Sequence, residues 1–153
     1  MYTATTQITI QTFVPTNGAT SGGPCIQAII APPVNTSPQP PGQSKPVFTG
    51  NGESITVTVP KDYTGSTQLT YQLFDPNYVL LGIAFQNPQG GAGRTEFNRI
   101  DIDRDTTSTQ IVVTDACDPD FAGIDYSYVI LVQQVSTGLI GLIDPDIETD
   151  IEE

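Results

Sequence analysis

The chain contains no histidine and no tryptophan, and it has five lysines and arginines against seventeen acids in 153 residues. The first absence removes imidazole as a base, and with it the serine and cysteine triads that use histidine, the HExxH metalloprotease pattern and most catalytic zinc sites. The second removes the side chain best suited to stacking a sugar ring. That weakens the case for hydrolysis by two carboxylates held ~5 to 9.5 Å apart, the one catalytic pattern the acids still allow. The shortage of cations leaves a formal charge of -12, so phosphate backbones and anionic lipid surfaces repel the protein. Nucleic-acid and membrane-surface partners are disfavoured, and no enzymatic activity is expected.

Long apolar runs are missing too. The longest, Tyr78 to Phe85, falls well short of the ~20 residues that span a bilayer as a helix. The opening MYTATTQITIQ has neither a basic nor an apolar region of a secretory signal, which makes the cytoplasm the default expectation. Cys25 and Cys117 are the only cysteines, and their spacing does not show whether they meet. A disulfide between them would stabilise the fold by roughly 4 to 5 kcal/mol in the chain-entropy model. Without a secretory signal, two buried thiols are the expected state.

What the sequence does contain is short β-forming runs cut by turn residues. A chain of this length suits one domain, residues 1 to 153, burying roughly 70% of its unfolded surface. Gln68 to Phe74 alternates through Leu69, Tyr71 and Leu73, and Asp75-Pro76-Asn77 ends it. Val79 to Gln86 follows, with Leu81, Ile83 and Phe85 on one face. In the run from Glu96 to Asp103, Phe97 has the opposite parity to Ile100 and Ile102, which calls for a bulge near Asn98 or Arg99. Gln110 to Thr114, Asp125 to Val135 and Leu139 to Ile143 complete the carboxy-terminal half. Earlier strands are expected at Thr5 to Val14, Cys25 to Ala31 and Ser54 to Val59. Between the last two, the prolines of residues 31 to 46 suit a surface loop rather than a central strand, and its PxxP match at Pro38 and Pro41 is ordinary for such a loop. Sustained helical periodicity is absent. The fold expected is all-β, an antiparallel two-sheet sandwich, with a closed β-barrel as the alternative.

The acids cluster, and hard cations such as calcium select clustered oxygen ligands. Asp101-Ile102-Asp103-Arg104-Asp105 begins like an EF-hand loop but has Thr106 in place of the turn glycine and Val112 in place of the bidentate glutamate, so it reads as a strand with an acidic solvent face. Asp115, Asp118 and Asp120 in DACDPD are the better candidate calcium ligands, although Asp and Pro favour turns by themselves. The same carboxylates would raise rather than lower the pKa of the Cys117 thiol, so it is expected to fill space rather than react. Gly90, Gly91 and Gly93 do not open a helix, and they read as a loop rather than a phosphate cradle.

Charge is distributed unevenly. The first fifty residues contain a single charged side chain, Lys45, and all seventeen carboxylates follow it. Thr5 to Val14 therefore lacks the charged gatekeepers of a protected sheet edge, and Thr5, Gln7, Thr9 and Gln11 are the residues expected to mediate pairing with a protein partner, a second copy included. The leading expectation is a structural or interaction module without catalytic activity. A ligand-binding sandwich for calcium or carbohydrate is the alternative.

YSYVILVQ at Tyr126 to Gln133 and TGLIGLIDPDIE at Thr137 to Glu148, with LTYQL at Leu69 to Leu73 and EFNRIDIDRD at Glu96 to Asp105, resemble the closing block of a small bacterial group, the DP-EP family. Thr149-Asp150 departs from the asparagine and proline usual there. The resemblance implies an immunoglobulin-like sandwich, looking distantly similar at its end to bacterial inclusion-body proteins, and it carries over no catalytic residue. Asp144-Pro145-Asp146 reads as a turn. In the acidic tail, residues 144 to 153, Ile147 and Ile151 alternate with acids, as in a docked edge segment or a solubilising tail.

Overall fold

A computed structural model describes residues 1–16, 26–37, 46–50, 54–61, 63–86, 97–104, 109–117, 125–143 and 146–151. Among the described residues there is no helix, and the strands are β1 (Tyr2–Thr12), β2 (Gln27–Ile30), β3 (Val34–Asn35), β4 (Val47–Gly50), β5 (Ser54–Val59), β6 (Thr67–Leu73), β7 (Tyr78–Gln86), β8 (Phe97–Arg104), β9 (Thr109–Asp115), β10 (Asp125–Gln134), β11 (Ile140–Ile143) and β12 (Asp146–Ile151). They form two sheets that do not close into a barrel, so the fold is a β-sandwich. The first sheet runs β2-β1-β6-β9-β8, with β3 also on β1; the second runs β11-β10-β12-β5-β4, with β7 on the other side of β10.

Strict alternation supplies the core. Leu69, Tyr71 and Leu73 of β6 and Ile111 and Val113 of β9 point inward from the first sheet, and Ile55, Val57 and Val59 of β5 with Tyr126, Tyr128, Ile130 and Val132 of β10 point inward from the second. Their neighbours on each strand face outward, as the period of two requires. The buried hydroxyl of Thr6, inside β1, donates to the carbonyl of Ala31, which removes the penalty of an unpaired polar group.

Two bulges adjust this alternation. Phe97 pairs with Asp115 and Arg99 with Thr114, leaving Asn98 as the extra residue where parity called for one. Phe97 is thereby buried while Ile100 still packs on the core, although Ile102 is 42% exposed. The second bulge alters an expectation. Gly82 pairs with Leu131 and Leu80 with Val132, so Leu81 is the extra residue. Leu80, rather than Leu81, is the buried partner of Ile83 and Phe85.

Other departures come from long-range pairing that local pattern does not encode. Each sheet contains one parallel pair, β1 with β6 and β12 with β5, so the sandwich is not wholly antiparallel. Residues far apart in sequence join them, satisfying the need of parallel strands for a long crossover. Within the expected loop of residues 31–46, Val34 and Asn35 pair with Thr5 and Ala4; Pro38 and Pro41 lie outside the described residues. Val47–Gly50 pairs with β5 as a strand that the sequence reading had not distinguished. Within the acidic tail, Asp146–Ile151 pairs along its length with β5, and its first three residues also pair with residues 125–127 on the other side.

On the inner side of β11, a Cβ at Gly141 would stand 2.6 Å from the carbonyl oxygen of Val14 and 2.7 Å from Cδ1 of Ile26. The chain lies this close because Thr16 N–H donates to Ile140 O at 2.8 Å and Ile26 N–H to Leu142 O at 2.7 Å. Backbone, unlike a side-chain tip, does not swing aside. Gly141→Ala is therefore expected to destabilise the protein by roughly 1 to 3 kcal/mol, read as a lower urea midpoint at an unchanged slope.

Candidate functional site

Of the three candidate calcium ligands, Asp118 and Asp120 lie outside the described residues, as do Asp105, Cys25 and the glycines at 90, 91 and 93. Asp115 is buried at the end of β9, and its Oδ1 accepts the backbone N–H of Cys117 at 2.8 Å. Cys117 sits at φ 55°, the left-handed region that a side chain disfavours. The Asp115 carboxylate thus holds a turn, as Asp commonly does two residues ahead of the N–H it bonds. The Cys117 thiol is buried beside Thr67 Oγ1 at 3.6 Å. On β8, Asp101 and Asp103 are exposed; Asp101 pairs with Arg99 at 2.7 Å and Asp103 accepts from Gln110 at 3.5 Å. Among the described residues no three acidic or sulfur side chains converge as a metal site.

The residues expected to mediate self-association sit on a strand whose two flanks are both occupied from Thr3 to about Gln7. Thr5 pairs with Val34 on one side and Thr70 on the other, Gln7 pairs with Gln72, and Thr9 pairs with Ile29. Gln11 falls at the register shift between Ile10 and Thr12. Their side chains do alternate away from the buried Ala4, Thr6 and Ile8. Neighbours thus occupy both sides of the backbone at Thr5 and Gln7, which need no gatekeepers, whereas from Ile8 to Thr12 the strand pairs with β2 alone among the described residues.

Two features not anticipated from sequence stand out. The first is a run of aromatic rings across the sandwich. Tyr71 of β6 donates its hydroxyl to that of Tyr128 of β10 at 2.7 Å. Phe85 lies 5.4 Å from the Tyr128 ring and 3.9 Å from that of Phe97, and Phe97 meets Tyr126 edge-on at 5.1 Å. Burial, reinforced by Tyr128, pushes the Tyr71 phenol well above its ordinary 10.0. These hydroxyls form a structural link between sheets.

The second is an outer face on β7, on β10 from Ser127 onward and on β11 that carries no charged residue. Opposite the buried tyrosines, Val129 and Leu131 of β10 point outward, beside Ala84 and Gly82 of β7 and Leu142 of β11. Val79 and Ile140 flank Gln133 in the next row. Leu131 Cδ1 lies 3.8 Å from where a Cβ on Gly82 would stand, so the leucine covers the glycine and flattens the face. Ile140 is 37% exposed and Ala84 is exposed. A recess of about 160 Å³ between Ala84–Gln86 and Ser127–Val129 indents one end; it is below the ~300 Å³ of small-molecule pockets. Such a surface suits contact with another flat, apolar surface or strand.

No family model, curated protein or solved structure matches the chain. The face therefore has to be read from its own chemistry. Its signal in the sequence is the absence of charge from Tyr78 to Gln86 and from Tyr126 to Ile143, which becomes a surface only once the pairing of the strands is known.

Two measurements check these assignments. Asp115→Ala is expected to lower stability by about 1 to 3 kcal/mol, equally in calcium and in chelator; a loss confined to calcium-containing buffer would assign the carboxylate to a cation instead. Because the Tyr71 phenol is raised in the folded state, the unfolded chain releases this proton first as pH climbs past 10.0. Its stabilising contribution is complete below pH 10.0 and lost above it. The melting temperature should accordingly drop above pH 10.0, and the drop should shrink in the Tyr71→Phe, Tyr128→Phe double variant.

Proposed function

We propose that this protein is a non-enzymatic structural or interaction module that associates with copies of itself through the uncharged patch that β7, β10 and β11 share on the outer side of its second sheet. The observation carrying the reading is the contrast between that face and the rest of the chain. In a protein of formal charge -12, the outward positions of β7, of β10 from Ser127 onward and of β11 combine Val79, Ala84, Val129, Leu131, Ile140 and Leu142 with glutamine and serine, and without one acid or base; Asp125 at the start of β10 and Asp146, the β12 partner of Ser127, stand at the border of this patch. Apolar area of this kind is stabilised by removal from water, at roughly 25 cal/mol per Å², and contiguous exposed apolar surface marks interaction sites. The absence of histidine across the whole chain supports the non-enzymatic half of the reading. Calcium or carbohydrate binding has less support, because Asp115 is engaged in its own turn.

Acidic copies repel one another over the Debye length, about 10 Å at 0.1 M salt. Sedimentation velocity is therefore expected to show a species heavier than the monomer whose share grows with protein concentration and with sodium chloride. A monomer at every concentration and salt would overturn the reading.

A further inference from the structure

The edges of the two sheets differ sharply in how they are protected. In the first sheet β2 and β3 are four and two residues long, and β8 carries Arg99, Asp101, Asp103 and Arg104. In the second, β4 has four residues, and β11 is flanked by the backbone of Thr16 and Ile26. Shortness, charge and cover are the usual devices against edge-to-edge pairing. Among the described residues, strand β7 has none of them. Its nine residues, YVLLGIAFQ, include no charge, and among the described residues it pairs with β10 alone. The bulge at Leu81 interrupts it, leaving Gly82 to Gln86 as a regular five-residue run.

We propose, building on the self-association reading, that the outer edge of β7 is its site, with Gly82 to Gln86 pairing antiparallel to the same run of a second copy. A two-fold axis through Ala84 sets the register: Ala84 opposite Ala84, Ile83 opposite Phe85, and Gly82 opposite Gln86. A symmetric pairing places each residue type against a copy of the same strand, so it suits an edge without charge and penalises one that has charges. The same operation on β8 opposes like charges in most registers. That is why the partner is a second copy of this chain: its acidic net charge resides elsewhere, and β7 offers no side-chain charge to recognise a basic or acidic peptide. The outer apolar face becomes continuous across the joined sheets, adding side-chain contact to the ladder. An interface this short belongs with the weaker class, so association in the micromolar range is expected.

The test uses the full chain and the exposed Ala84. Residues directly opposite on an antiparallel pair lie ~4.5 to 5.5 Å apart, so Ala84→Lys sets two ammonium groups face to face, and Ala84→Glu two carboxylates. Sedimentation velocity at about 10 to 300 μM is expected to show dimer for the parent and at least a tenfold weaker dimer for each variant, with melting curves and circular dichroism unchanged. An equimolar mixture of the two variants is expected to recover the dimer, because lysine then faces glutamate. Dimer in the parent that both variants retain, or variants that weaken without recovery on mixing, overturns the β7 site while leaving self-association in place. A monomeric parent overturns both.

Discussion

Strand β10 pairs with three others, as β1 does in the first sheet: β7 along one side, and β11 and β12 in turn along the other. Everything in the second sheet depends on its register. Tyr126, Tyr128, Ile130 and Val132 are almost wholly buried, while the residues between them face outward. A slip of one position would turn the tyrosines into solvent and bring Ser127 and Gln133 into the core. The Tyr71–Tyr128 hydrogen bond and the Phe85–Phe97 stack then tie this register to the opposite sheet. Buried hydroxyls are costly unless paired, so these contacts select one alignment of the two layers as well as stabilising it.

That dependence explains which parts of the fold were legible in the sequence. Ser54–Val59 was bounded as observed, and β6, β8, β9, β10 and β11 each fell within a residue or so of their expected limits, because alternation between Asp, Pro and Gly turns is a local signal. The bulge at Asn98 was legible for the same reason, since parity within a single strand demanded it. The bulge at Leu81 was hidden because a wholly apolar run shows no parity to violate. Strands β3, β4 and β12 are two to six residues long and owe their existence to a neighbour: Val34-Asn35 to β1, Val47–Gly50 to β5, and Asp146–Ile151 to β5 and β10 together. The partners of β3 and β12 are distant in sequence and leave no local trace, whereas β4 pairs with the very next strand through a run of four residues too short to show a pattern.

The candidate site was less legible than the fold. Acid clusters draw attention because titratable groups announce chemistry, yet Asp115 holds a turn and Asp101 is matched by Arg99. The absence of charge from Thr5 to Val14 was correctly noticed, but whether a strand forms an edge is a property of the sheet. β1 is flanked on both sides over its first half, and the uncharged strand at the rim of the second sheet is β7, whose apolar residues read equally well as core. A surface without charge can be recognised from sequence only after strand order is known.

The close approach at Gly141 bears on stoichiometry. Because Val14, Thr16 and Ile26 lie along β11, that side of the second sheet has no long bare rim, and β4 beyond β12 and β5 presents only four residues. A sheet that is adhesive on both rims adds units without end and grows into a filament. A sheet with one adhesive rim is used up by its first encounter. Under the β7 pairing proposed above, the glycine that lets a neighbouring segment lie so close favours closed assembly over open-ended polymerisation, a distinction made by a missing methyl group on the far side of the sheet.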